Sequence, residues 1–162
     1  ARGYGELGRS YTLYTTRKKM DKKWVKRLFI PLCVTVIAAI LSIILVSEQH
    51  YGSPTSRALI ETILIIMLPI LPILYGLKLR DKIGSILMGI LPFSVIFIII
   101  LIESLLSSNY TSGRAVRTIS YWFILIVIAG LEGYFASKGK GSLIIAIGLL
   151  ITWYLWFLSG IH

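Results

Sequence analysis

Two carboxylates stand inside long apolar stretches of this chain, and they are the residues whose chemistry has to be explained first. Glu61 lies near the start of the second stretch, with Arg57 four residues before it. That spacing places both on one face of a helix, so an i,i+4 ion pair is the plain reading. Glu132 lies in AGLEGYFASKGK, near the end of the fourth stretch. Two readings compete for it: a contact with a ligand or partner, or a snorkelling carboxylate reached by Lys138 or Lys140. Ionisable groups within a membrane mark ion paths and proton relays because they are costly to keep there.

Other chemistries find few residues. A metal centre needs several His, Cys or carboxylate ligands brought together. The chain offers His50 and His162, both outside the apolar stretches, and Cys33 inside the first. No metal site is expected, and no cofactor, since haem held between helices would need an axial ligand there. Cys33 reads as a small filling residue, and one cysteine allows no internal disulfide. Ser42, Ser94 and Ser142 have no titratable neighbour in sequence to activate them. Phosphate loops and dinucleotide fingerprints are missing from the sequence. The expectation is a non-catalytic protein.

The elements carrying these residues are five apolar runs: Phe29–Val46, Ala58–Leu77, Ile83–Ile102, Ile119–Ala136 and Ser142–Gly160. Each approximates the roughly 17–25 residues with which a helix crosses a hydrocarbon core. Backbone groups in lipid must bond internally, which an unbroken run achieves as a helix. Hydrophobic residues make up 56% of the 162, and mean hydropathy is +0.82. The expected fold is all-α, a polytopic membrane protein with a five-helix transmembrane domain over 28–162 and a basic cytoplasmic arm over 1–27. The first run is too long for a cleaved signal peptide and reads as a retained anchor.

Charge gives the orientation. The net charge is +10, and with five spans, fourteen of the seventeen Lys and Arg fall on the side of the N-terminus. Only Arg57, Arg114 and Arg117 fall opposite. Basic residues are retained in the cytoplasm, so the N-terminus is expected inside and His162 outside, the cell membrane being the natural location. Within the arm, Lys18, Lys19, Lys22, Lys23, Lys26 and Arg27 form a polybasic approach to the first span. It suits anionic headgroups or an acidic partner surface. RNA contact ranks last, and no nucleic-acid partner is expected. Met20 followed by DKKWVKR has the look of a membrane-protein start, so residues 1–19 read as a processed end, an over-extended frame or an added segment. The Gly-, Tyr- and Thr-rich residues 1–16 have no core of their own and are expected to be held by a partner.

Several positions bear on packing. Pro69 and Pro72 should bend or open the second helix and Pro92 the third, since proline removes a donor and crowds the preceding turn. Ala38/Ser42, Ser85/Gly89, Ala129/Gly133 and Ser142/Ala146 are small residues at i,i+4, which let helix backbones approach in lipid. They serve either this bundle or unlike helices. Tyr121, Trp122, Trp153, Tyr154 and Trp156 read as outer interface anchors. The loops 47–57 and 103–118 read as outer turns, and Asn109-Tyr110-Thr111 fits the glycosylation pattern. A faint echo links Gly76…Gly84-Ser85 to Gly133…Gly141-Ser142, as a duplicated helical hairpin would.

The functional expectation is an accessory or structural subunit of a membrane complex, bound to lipids and other membrane chains. The alternative is a small homo-oligomeric transporter or channel, its path lined by helices two and three.

Overall fold

In the computed structural model, the described residues are 25, 27–47, 54–106 and 112–160, with the side chains of 112–115 left aside. They form five helices: α1 (Arg27–Ser47), α2 (Pro54–Leu79), α3 (Lys82–Leu106), α4 (Ser112–Ser137) and α5 (Lys140–Ser159). Each is long and apolar enough to cross a membrane.

Three helices run further than their apolar content suggested. α2 begins at Pro54, not near Ala58, because proline at the first helical position carries no unpaired donor and already has helical φ. α3 continues to Leu106 and α4 starts at Ser112, which shortens the turn expected over 103–118. Polar residues at these ends can lie in water while the backbone stays helical. Asn109, Lys18, Lys19, Lys22, Lys23, Lys26 and the arm 1–16 fall outside the described residues.

The two connections on the other side are very short. Arg80 ends α2 in the left-handed region at φ 48°, its N–H bonded to Gly76 O at 2.9 Å. Gly139 turns α4 into α5 at φ 119°, which side chains rarely adopt. Arg27, at the start of α1, pairs with Asp81 of the α2–α3 turn at 3.2 Å. The beginning of α1 and this turn therefore share one end of the bundle.

α4 is the central helix, packed against α2, α3 and α5. It buries Leu125, Ile128, Ala129, Glu132 and Ala136, a stripe at helical spacing. The small residues identified above stand at the tightest crossings. A Cβ on Gly89 would fall on the Ala129 carbonyl, and one on Gly133 on the Ser85 carbonyl. The Ser85/Gly89 and Ala129/Gly133 pairs thus mesh with each other, α3 to α4. Gly76 extends the contact to α2, where a Cβ would come within 3.0 Å of both Ala136 Cβ and Gly133 O. Ala38, Ser42 and Ala146 are buried, while Ser142 is half-buried. The echoed glycines do different work: Gly84 lies under the Tyr75 ring, whereas Gly141 meets nothing.

α2 and α3 are helical without interruption through Pro69, Pro72 and Pro92, so neither helix opens there. All three rings, and Pro31 in α1, are fully buried.

Candidate functional site

Glu132 is 0% exposed, and neither carboxylate oxygen has a hydrogen-bond partner among the described residues. Of the two readings that the sequence left open, the lysine-paired one is not made. Lys138 Nζ lies instead over the Tyr134 ring, 4.4 Å from its centroid. The reason is geometric: six residues at about 100° each carry Lys138 to the far side of the helix, beyond its last turn. Glu132 points into the bundle about a turn and a half before the end of α4. Tyr154 of α5 lies within electrostatic reach of it.

Tyr154 crosses to α2, its hydroxyl donating to the Ile66 carbonyl at 3.0 Å. This is three residues before Pro69, in the stretch where Pro69 and Pro72 leave the Ile65 and Leu68 carbonyls without their usual helical donors. Tyr154 thus links the surroundings of the buried carboxyl to the stretch of α2 that carries proline-released carbonyls. Carboxylate and carbonyl oxygens are acceptors only, the chemistry that attracts a proton or a cation.

Glu61 is different. Arg57 Nε donates to its Oε1 at 2.8 Å, the pair that the spacing called for, and both side chains remain part-exposed. Glu61 also edges a cavity of about 310 Å³ at the bundle end opposite the short turns.

The aromatic residues correct an expectation. Trp153 is not an interface anchor: it is 1% exposed, stacked on Phe157 at 5.3 Å and tilted against Phe93. Trp153 follows Ala146 on the buried stripe of α5, and that register carries it inward. Its Nε1 has no acceptor among the described residues. Tyr121 is likewise a clamp, its hydroxyl donating to the Phe157 carbonyl at 2.8 Å. Cys33, expected inside, is exposed on α1, whose inward face is taken by Thr35, Ala38 and Ser42.

At the short-turn end, Arg27, Tyr75, Arg80, Asp81 and Lys82 line an open recess of about 580 Å³. Of the basic approach to the first span, Arg27 is the described member, and it is engaged with Asp81.

Fold and site together define a multi-pass helical membrane protein with a buried acidic centre. Compared with known proteins, the chain matches no family model, no curated protein and no solved structure.

Proposed function

We propose that this is a non-catalytic membrane protein that exchanges a proton for a small monovalent cation at Glu132, a transporter of the homo-oligomeric kind. The observation that carries the reading is a fully buried carboxyl with no partner. An uncompensated carboxylate costs several kcal/mol, so the group is kept neutral by a proton or balanced by a cation. Exchange of one for the other leaves the bundle's charge unchanged: the O–H proton departs to water as the cation arrives. Carbonyls released by Pro69 and Pro72 are suited to complete the cation's shell. The path is then lined by α2, α4 and α5 rather than by α2 and α3.

The test is flux. Purified protein in vesicles loaded with a pH-reporting dye is given an inward gradient of Na+, K+ or methylammonium. Proton efflux that saturates with one of these, and disappears in Glu132→Gln, supports the reading. Equal efflux from wild type and Glu132→Gln overturns it.

The accessory-subunit reading keeps one observation. On α5, Gly148 meets nothing within 4 Å and sits among exposed Ile144, Ile147, Ile151 and Thr152, a notch into which an unlike helix could pack. The arm would then hold an acidic partner, and the recess at Arg80 and Lys82 anionic headgroups. Native mass spectrometry after mild extraction separates the two: a symmetric oligomer favours transport, and stoichiometric unlike chains favour the subunit. Both readings take the N-terminus as cytoplasmic and the C-terminus as outside, which the excess of basic residues on the N-terminal side supports.

A further inference from the structure

The cavity at the other end of the bundle has no part in the Glu132 chemistry. All five helices give it a wall: Leu45 from α1, Leu64 from α2, Ile96 from α3, Trp122 from α4, and Trp153 with Phe157 from α5. At about 310 Å³ it falls at the small end of ligand pockets, about 300–1,000 Å³. It is not sealed, so a small apolar molecule can enter it.

Its chemistry is selective. The one ionisable wall, Glu61, is already matched by Arg57 at 2.8 Å, which leaves the cavity without a net charge to offer. A charged headgroup or an ion is therefore the wrong occupant. Aromatic rings from three helices (Phe93, Trp122, Trp153 and Phe157) supply faces and edges for a flat π-system. Trp153 adds a donor, since its buried Nε1–H has no acceptor among the described residues. A buried donor left unbonded is costly, and an occupant bearing an acceptor oxygen removes that cost. Trp153 lies six residues before the end of α5, roughly 9 Å along the helix. An acceptor that reaches it stands inside the bundle, beside the rings of Phe93 and Phe157, so the ligand carries that oxygen on its ring.

We propose that this cavity binds a lipid-soluble planar carbonyl compound of the quinone class. Its ring lies among the four aromatic side chains, one ring carbonyl accepts from Trp153 Nε1, and an apolar tail leaves through the mouth of the cavity. The site is for binding; no redox step is assigned to it. It stands whether or not Glu132 exchanges cations.

The probe is decylubiquinone, titrated into the purified protein in dodecylmaltoside with tryptophan fluorescence as the readout. A micelle-anchored tryptophan ester serves as the baseline for simple partitioning. The expected result is saturable quenching above that baseline. Decylbenzene, which has the tail and a ring but no carbonyl, should compete at least tenfold more weakly. Trp153→Phe, which keeps the ring and loses the donor, should weaken decylubiquinone about tenfold. Ile96→Trp, which fills the cavity, should abolish saturation while circular dichroism and monodispersity stay as in wild type. Quenching that never exceeds the baseline overturns the proposal. So does equal competition by decylbenzene in the wild-type protein, a result that needs no variant to fold.

Discussion

Gly89 of α3 rests directly on the backbone carbonyl of Ala129 of α4, with no room for a side chain between them. One turn away, Gly133 does the same to the Ser85 carbonyl from the opposite helix. The two contacts are reciprocal and hold the central pair together by dispersion, since lipid gives helices no hydrophobic reason to associate. Forcing a β-carbon into either contact must separate the helices. Gly89→Ala and Gly133→Ala should each lose about 1–3 kcal/mol of stability, the usual cost of overpacking. Gly148→Ala, where nothing lies within 4 Å, should be neutral or gain up to about 1 kcal/mol from helix propensity. Reversible unfolding in mixed detergent and dodecyl sulfate micelles measures all three. A Gly89→Ala protein as stable as wild type would contradict the contact.

The left-handed Arg80 offers a test of opposite sign. A side chain at φ 48° carries about 1–2 kcal/mol of backbone strain relative to the right-handed region. Arg80→Gly should raise the unfolding midpoint. Gly139→Ala, at φ 119°, should lower it. If both changes move the midpoint the same way, the turn geometry is wrong.

Tyr154 ties α5 to α2 through the Ile66 carbonyl, at 3.0 Å. Tyr154→Phe removes the donor and keeps the ring, and should cost about 0.5–1.5 kcal/mol. Because Tyr154 also lies near Glu132, cation-driven proton efflux should fall in the same variant. Trp156→Phe, on the exposed side of α5, should leave the efflux unchanged.

Orientation rests on the distribution of basic residues. In a Cys33→Ala background, cysteine at Ser53 should react with an impermeant maleimide in intact cells, and cysteine at Lys140 only after permeabilisation. The reverse pattern would place the N-terminus outside.

The five spans were legible because apolar length alone specifies them, and the small pairs because their spacing is local. Which pairs meet was not legible, since nothing in Ser85/Gly89 names Ala129/Gly133 as its counterpart. Trp153 was misread because an aromatic near a span end fits an interface belt as well as it fits a core. Only its register with Ala146 on α5 separates the two. The end of α3 at Leu106 was hidden by polar residues that water tolerates in a helix as readily as in a loop. Glu132 was visible as an oddity in an apolar run, but its isolation depends on how α4 is rotated relative to its neighbours. The cavity at Trp122 and Phe157 needs all five helices in place and leaves no local trace.

Proton release tests the claim about Glu132 most directly. Purified protein in weakly buffered micelles, with a soluble pH indicator, is titrated with the cation that drives efflux in vesicles. The account predicts saturable release approaching one proton per chain, absent in Glu132→Gln and retained in Glu132→Asp. Release of the same size from Glu132→Gln, or none from wild type at saturating cation, would contradict it.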